Sequence, residues 1–195
     1  MTDPARGARA RGSQTATKDV LRSRLRARRT AVPLPAGDRT ARALALSAAA
    51  PAVACYVSLP EEPDTHSLIE TLAAGGTRIL LPVLRREPDW AWYTGPDDLT
   101  PGWRGIPEPT SDRLGPEALA QAAWIWVPGL AGTPAGDRLG TGGGWYDRAL
   151  GHASADTRIG LLLHDGELLD ALPTDPWDRR VDVILTASAT VWRAE

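Results

Sequence analysis

Apolar and polar positions follow two different periods along this chain. From Thr17 to about Arg29 the apolar residues recur every three or four positions, which predicts an amphipathic helix with Thr17 as its cap. An alanine-rich helix follows, and we expect it to begin after Asp38 and to end by Pro51. Residues 52–58 then form a continuous apolar run with β-branched members, which is typical of a buried strand. The chain therefore starts with two helices and then enters a sheet.

The rest of the chain alternates strand patterns with helix patterns. The expected strands are 78–84, 90–93, 123–127, 158–163 and 181–186, and the expected helices are 65–74, 117–121 and 144–152. The polar neighbours of 90–93 indicate a more exposed strand, and the Pro- and Gly-rich residues 94–116 predict an irregular excursion. This alternation predicts an α/β fold, with a mostly parallel open sheet and helices on both faces.

Charge is distributed unevenly along the chain. Residues 1–42 carry eleven basic and three acidic side chains, so this arm is +8, whereas the whole chain is −2 and the remainder is −10. A basic arm on an acidic body indicates either an anion-binding device or a nucleic-acid tail. Residues 1–16 lack apolar anchors, so we expect a disordered basic tail there and a single α/β domain over 17–195.

Composition excludes several classes of protein. The single Cys55 excludes a disulfide scaffold and a Cys-based zinc site. No apolar run approaches the ~20 residues of a membrane span, so a soluble cytoplasmic protein is expected. Every basic residue except Lys18 is arginine. That lone lysine reflects either a role for a compact ammonium charge or chance on a solvated helix.

Residues 127–150 leave an expected strand, pass through a glycine-rich loop and enter a helix. In an open α/β sheet, ligands bind beyond the carboxyl ends of the strands, where this loop lies. Glycines at 140, 142, 143 and 144 allow backbone N–H groups to converge on an anion such as phosphate, although a flexible hairpin is the alternative. Arg138 is suited to pair with phosphate oxygens, and Asp147 is suited to hold Mg²⁺. Standard nucleotide motifs fail, because no lysine follows the glycines and Trp145 replaces the last glycine of G-x-G-x-x-G.

The segment RLGTGGGWYDR at 138–148, preceded by VPGLA at 127–131, closely resembles the signature of 5-formyltetrahydrofolate cyclo-ligases, also called methenyltetrahydrofolate synthetases. The resemblance spans nearly the whole chain after the tail. It includes the K-x-x-x-R pair Lys18 and Arg22, the S-x-x-x-E-x-x-T element at Ser58, Glu62 and Thr65, and Asp178 before the strand VDVI. Four elements in the same order and spacing are far more specific than any one of them.

The resemblance implies a fold and a reaction. The fold would be a Rossmann-like three-layer, NagB/RpiA/CoA-transferase-like arrangement. The reaction would convert 5-formyltetrahydrofolate and ATP to 5,10-methenyltetrahydrofolate, ADP and phosphate, with Mg²⁺ as the metal and ATP as co-substrate. Phosphorylation of the formyl oxygen and attack by N10 need alignment and charge neutralisation rather than a protein nucleophile. The expected partners are small molecules only, with no nucleic acid and no membrane, and the protein would be a monomer.

The resemblance also assigns residues by position. The catalytic set would be Lys18, Arg138 and Asp147, and Mg²⁺ would bind Asp147 and Asp178. ATP would contact Lys18, Arg22, Arg138, Leu139, Gly140, Thr141, Gly142, Gly143, Gly144, Trp145 and Tyr146. Folate would contact Val57, Glu62, Thr141, Gly142, Gly143, Gly144 and Trp145. A carboxylate such as Glu62 suits the row of N–H donors on a pterin.

Several positions depart from the family pattern. Most members have an aromatic residue and an aspartate at Gly132 and Thr133, a basic residue at Thr141, tyrosine at Trp145 and histidine at Trp177. These departures leave open a catalytically weak paralogue that binds nucleotide or folate. A nucleic-acid module that uses the basic arm is a third hypothesis, although it lacks a recognised motif. His164 follows an expected strand at the crevice and is either a ligand contact or a structural residue.

Overall fold

A computed structural model describes residues 4–31, 38–175 and 178–194. Its helices are α1 (Pro4–Ala31), α2 (Arg39–Ser47), α3 (His66–Ala74) and α4 (Trp145–Ala149). Asp38 and Thr65 stand at the N-cap positions of α2 and α3, as predicted. None of the described helices is long and apolar enough to cross a membrane.

Helix α1 begins at Pro4, so the predicted start at Thr17 is wrong. Proline is well tolerated at the start of a helix, and the alanines and arginines that follow are good helix formers. The helix therefore runs through residues that were expected to lack structure for want of apolar anchors. The division of the chain into a basic tail at 1–16 and one domain at 17–195 stays a prediction.

Most of the strands are short. They are β1 (Ala52–Ala54), β2 (Arg78–Pro82), β3 (Trp90–Trp92), β4 (Leu99–Pro101), β5 (Pro107–Pro109), β6 (Trp124–Val127), β7 (Ala131–Gly132), β8 (Arg138–Leu139), β9 (Arg158–Leu162), β10 (Val183–Leu185) and β11 (Thr190–Trp192). Over the described ranges, the main sheet has the order β11-β10-β9-β6-β1-β2-β3. Its five central strands pair in parallel, and β3 and β11 are antiparallel edges. The mostly parallel sheet is confirmed, whereas β11 was missed because it is short and largely exposed.

The excursion at 94–116 is more regular than predicted. Strands β4 and β5 form an antiparallel hairpin. One 3₁₀ turn, Pro96–Asp98, precedes β4, and a second, Trp103–Gly105, connects the two strands. The end of the excursion covers the free side of β3, because Leu114 N–H donates to the Trp90 carbonyl and Ser111 Oγ donates to the Trp92 carbonyl. Trp90 and Ala91 are consequently buried. The predicted exposure of this strand is wrong, although its position at an edge agrees with the pattern.

Two apolar cores lie on opposite faces of the sheet. Ala43 of α2 and Leu68 of α3 pack with Val53 on one face. Ala54, the next residue of β1, faces the other side, where it packs with Leu119 of a 3₁₀ helix and Leu150 at the end of α4. Successive residues of a strand point to opposite faces, so each buried strand contributes to both cores. Helices on both faces are thereby confirmed.

Apolar side chains of helix α1 pack beside the main sheet, against the β7–β8 hairpin. Leu25 is buried with Leu130, Ala131 and Leu139, and Leu21 packs against this group. These three partners belong to the β7–β8 hairpin and the residue before it. Helix α1 therefore lies over the segment that leaves β6, and it carries its basic residues to the glycine-rich loop.

Candidate active site

The glycine loop, residues 138–146, turns from β8 into α4. Gly142 and Gly144 have φ angles of +111° and +62°, a region that residues with a Cβ atom rarely adopt. Thr141, Gly142 and Gly143 are exposed. Helix α4 ends at Ala149 and continues as a 3₁₀ turn to His152, so the predicted helix is present in two parts.

Arginines of α1 donate to the carbonyl groups of this loop. Arg22 Nε is 3.0 Å from the Gly140 carbonyl oxygen, and Arg26 Nη2 is 2.7 Å from the Thr141 carbonyl oxygen. A second nitrogen of Arg22 pairs with Asp19 at 2.6 Å. The structure therefore places Arg22 against the glycine loop, and its contact with ATP stays a prediction. Arg26 lies four residues further along the same helical stripe and was not among the assigned residues.

Lys18 lies between two carboxylates. Its Nζ is 2.6 Å from Asp175 Oδ2 and 3.0 Å from Asp178 Oδ2. Burial lowers the pKa of Lys18, but the hydrogen bonds and charges of the two aspartates outweigh burial and raise the pKa above its usual value. Lys18 is therefore charged, and it contacts the predicted metal ligand Asp178. Asp175 was missed; the only signal for it is its place three residues before Asp178.

Arg138 and Asp147 form a second charged pair. Arg138 Nη2 is 2.5 Å from Asp147 Oδ1, and only 4% of the Arg138 side chain is exposed. Arg138 Nε is buried and has no hydrogen-bond partner among the described residues. The structure thus brings Arg138 and Asp147 together. The Nε–H group of Arg138 stays available for a further acceptor.

The two predicted metal ligands do not form a carboxylate cluster. Asp147 pairs with Arg138, and Asp178 pairs with Lys18. Over residues 4–31, 38–175 and 178–194, no group of three or more His, Cys, Asp or Glu side chains could hold a metal ion. Each predicted ligand therefore has a protein cation as its partner.

The S-x-x-x-E-x-x-T element closes a loop at residues 58–65. Ser58 N–H donates to Thr65 Oγ1 at 3.0 Å, and Thr65 N–H donates to Ser58 Oγ at 3.1 Å. Inside the loop, Leu59 N–H donates to Glu62 Oε2 at 3.0 Å. Burial raises the pKa of Glu62 above its usual value, against the Leu59 hydrogen bond and the Arg29 charge. The spacing of the motif therefore serves to hold Glu62 in a fixed loop.

Tyr146, at the end of the glycine loop, lies near Glu62 of the 58–65 loop. Burial raises the pKa of Tyr146 well above its usual value, and Glu62 and Arg138 act on it with opposite signs. The Tyr146 hydroxyl is buried without a partner in the part of the chain that is described. The ring of Trp145 packs edge-on against Tyr146 and Trp90, with centroid distances of 4.9 and 5.4 Å. Trp145 therefore fills space beside Trp90 and supports Tyr146.

Two assigned ligand contacts have side chains in the core. Leu139 packs with Leu25, and Val57 packs in the core on the α2–α3 side. Their side chains are therefore unavailable to a ligand, and only their backbone groups could meet one.

Packing explains one departure from the family pattern. A Cβ atom at Gly132 would come within 2.7 Å of Ile184 and 2.8 Å of Leu161, so a larger residue would displace both. Thr133 is buried, and its Oγ1 donates a hydrogen bond to Asp137 Oδ2 at 3.0 Å. This hydrogen bond stabilises the turn between β7 and β8. Trp177 lies outside the described residues.

Comparison with known proteins identifies the family. Residues 14–187 match the model of the 5-formyltetrahydrofolate cyclo-ligase family. The chain belongs to this family. All the assigned residues, from Lys18 to Asp178, lie inside the matched range of the cyclo-ligase model.

Individual cyclo-ligases are also similar to the chain. The 5-formyltetrahydrofolate cyclo-ligase of Mycolicibacterium smegmatis is 35% identical over 182 residues, which cover 87% of this chain and 93% of that protein. The Escherichia coli K12 cyclo-ligase is 34% identical over 147 residues, which cover 72% of this chain and 79% of that protein. The NMR structure of Aquifex aeolicus 5,10-methenyltetrahydrofolate synthetase superposes with a TM-score of 0.77 at 26% identity, over 91% of this chain and 93% of that one.

Proposed function

We propose that this protein converts 5-formyltetrahydrofolate to 5,10-methenyltetrahydrofolate with consumption of Mg-ATP, and that it does so as a cytoplasmic monomer. The observation that carries the proposal is the docking of α1 on the glycine loop. Arg22 reaches Gly140 at 3.0 Å and Lys18 reaches Asp178 at 3.0 Å, so cations from the start of the chain meet the family signature. Cations beside a glycine-rich loop are what a polyphosphate requires.

The charged side chains suit phosphoryl transfer. In the first step the formyl oxygen bonds to the γ-phosphorus, and the bond from that phosphorus to the bridging oxygen of ADP breaks. N10 then attacks the formyl carbon, loses its proton, and phosphate leaves with the former formyl oxygen. Lys18, Arg22 and Arg138 would align the phosphates and offset the charge that develops on them. No protein nucleophile is needed.

The two predicted metal ligands fit Mg²⁺ as oxygen donors. Mg²⁺ is usually held by one or two carboxylates together with substrate phosphates, so a larger protein cluster is not required. Asp147 and Asp178 would hold the ion, which neutralises phosphate charge when it is bound. Because each carboxylate pairs with Arg138 or Lys18 in the structure, the cations would turn to the phosphates as the carboxylates turn to the metal.

The decisive experiment is an absorbance assay with purified protein. With saturating ATP, Mg²⁺ and 5-formyltetrahydrofolate we expect the methenyl chromophore to accumulate, with one ADP formed per product. Omission of ATP should prevent its formation. If no chromophore forms at saturating ATP, the proposed activity is wrong.

Arg26 argues for turnover rather than a weak paralogue. Thr141 lacks the basic side chain that the family usually carries, but the Arg26 guanidinium is 2.7 Å from the Thr141 carbonyl oxygen. A cation therefore stands beside this position. Calorimetric binding of 5-formyltetrahydrofolate without product would instead favour the paralogue.

Contacts of the basic arm favour an anion site over a nucleic-acid tail. Arg28 donates to the Gly166 carbonyl oxygen at 3.1 Å, and Arg22, Arg26 and Arg29 likewise donate to acceptors of this chain. These contacts gather the arginines around the glycine loop and the ends of neighbouring strands, an arrangement that suits a small anion better than the extended row of phosphates on a nucleic acid.

A further inference from the structure

His164 contacts the loop that carries Glu62. Its Nε2 is 3.1 Å from the carbonyl oxygen of Glu61, the residue before Glu62. A carbonyl oxygen only accepts hydrogen bonds, so Nε2 carries the proton and the ring is in the Nε2–H tautomer. The other ring nitrogen, Nδ1, is buried, and the backbone N–H of Glu167 approaches the His164 side chain in a capping box. The hydrogen bond that Nε2 donates is directed at the 58–65 loop.

A buried ion pair fixes the backbone from which His164 projects. Glu167 Oε2 accepts from the His164 backbone N–H at 2.9 Å. The same carboxylate receives two hydrogen bonds from Arg29, at 2.5 and 2.8 Å, and both side chains are at least 95% buried. Arg29 also donates to the Gly129 carbonyl oxygen at 2.6 Å. Helix α1 thereby holds His164 rigidly at the carboxyl end of β9.

The Glu61 carbonyl determines where Glu62 lies. The peptide group between Glu61 and Glu62 is planar, so a hydrogen bond that fixes this carbonyl also fixes the Glu62 N–H and Cα. Leu59 N–H binds the Glu62 carboxylate from the other side at 3.0 Å. Glu62 is held at its backbone by His164 and at its side chain by Leu59.

We propose that His164 is a positioning residue that orients Glu62 toward the pterin of the substrate through the Glu61 carbonyl. The inference rests on the proposed function, in which Glu62 binds the folate. His164 acts only through the loop, so its loss should weaken folate binding and leave the nucleotide reaction intact.

The surroundings of the ring favour its neutral form. Arg29 of α1 and Arg39 of α2 oppose a second proton, whereas Glu167 and the Glu61 carbonyl favour one. A proton on Nδ1 would also be buried without an acceptor. Burial is the main reason that the pKa of His164 is lowered from its usual value, and the two arginines add to it. Neutral His164 should therefore hold the loop at neutral pH, and acid should disturb it.

Two amide substitutions at His164 test this role. Glutamine places an N–H donor near the position of Nε2, whereas asparagine is too short to reach the Glu61 carbonyl. We expect His164→Gln to keep the KM and the Kd for 5-formyltetrahydrofolate close to the parent values. His164→Asn should raise both by roughly three- to tenfold, the effect of one lost hydrogen bond. The KM for ATP and kcat should stay unchanged, and His152→Gln provides a matched control at a half-exposed histidine.

The outcomes separate the two proposals. Equal folate KM and Kd values in the glutamine and asparagine variants would overturn the role of His164 and leave the activity standing. A parent protein that neither binds the folate nor turns it over would overturn both. If circular dichroism shows that His164→Asn is unfolded, the pH profile decides the matter: the folate Kd of the parent should rise more steeply below the usual histidine pKa than that of His164→Gln. Identical profiles would reject the inference.

Discussion

At the scale of single residues, the charges of the site are arranged in pairs. Lys18 meets Asp175 and Asp178, and Arg138 meets Asp147. A lysine suits the contact with Asp175 and Asp178 because its compact ammonium fits between two carboxylates, whereas a guanidinium is larger and planar. In a chain that otherwise uses arginine, this contact gives the lone lysine a physical reason.

Replacing Lys18 by alanine should impair nucleotide binding. We expect Lys18→Ala to raise the KM for ATP by about tenfold, in keeping with the loss of one charged hydrogen bond, while the KM for the folate changes little. A titration of initial rate against ATP measures the effect. Arg24→Ala removes an exposed cation of the same helix and serves as the control. Parent-like ATP kinetics in Lys18→Ala would show that this assignment is wrong.

Replacing Asp147 by asparagine should affect the metal and turnover together. Asparagine keeps the size of the side chain but removes the negative charge that binds Mg²⁺ and faces Arg138. We expect the half-saturating Mg²⁺ concentration to rise and kcat to fall, each by about tenfold or more, the equivalent of ~1.4 kcal/mol. Coupled assays over a Mg²⁺ series measure both, with the exposed Asp156→Asn as the control. An unchanged Mg²⁺ requirement would remove Asp147 from the metal site.

At the scale of elements, the sequence predicted regular segments better than their contacts. The periods of α2, α3 and the parallel strands were readable because each has a long apolar pattern. Strands β4 and β11 are largely exposed, and the β4–β5 hairpin is rich in proline, so neither segment shows the continuous apolar run that marks the buried strands. The Arg29–Glu167 pair joins positions 138 residues apart, and no local pattern reports such a contact. The glycine loop was recognisable by its residues, whereas its docking on α1 was not.

The apolar part of the α1 docking is centred on Leu25. Leu25 is 5% exposed and packs with Leu130 and Leu139. We expect Leu25→Ala to lower the free energy of unfolding by about 2–4 kcal/mol and to raise the KM for ATP, because the helix carries Lys18 and Arg22. Urea denaturation and ATP titration test this. Val20→Ala, on the exposed face of the same helix, should change neither the free energy of unfolding nor the KM for ATP. A Leu25→Ala protein that loses stability but keeps its ATP affinity would separate docking from nucleotide binding.

At the scale of the whole molecule, the site is assembled from distant parts of the chain. Helix α1, the 58–65 loop, the glycine loop, Asp175 and Asp178 meet at one side of a sheet whose strand order brings these parts of the chain together. The parallel α/β class could be inferred from the alternation of patterns, and the resemblance supplied most of the site. Asp175, Arg26 and His164 act through tertiary contacts, and the structure was needed to find their partners.

Removal of residues 2–16 should leave the activity intact. All the assigned residues lie between Lys18 and Asp178, and the family match begins at residue 14. We expect the shortened protein to keep kcat and both KM values within about twofold, a change below ~0.5 kcal/mol. A parallel measurement of nucleic-acid binding tests the third hypothesis, which requires that binding be lost on truncation. A large fall in turnover would show that the basic tail contributes to catalysis.

The pairing of Lys18 and Arg138 with carboxylates affects how strongly the protein attracts anions from a distance. Long-range attraction depends on the net charge of a surface, and here the opposing charges of Lys18, Arg138 and their aspartates largely cancel. A site of this kind does not concentrate polyanions around itself. The site then selects among anions through direct contacts. Only an anion that arrives with a bound cation leaves both the protein cations and their carboxylates with a partner of opposite charge. The site is therefore expected to attract nucleic acids and free phosphates only weakly.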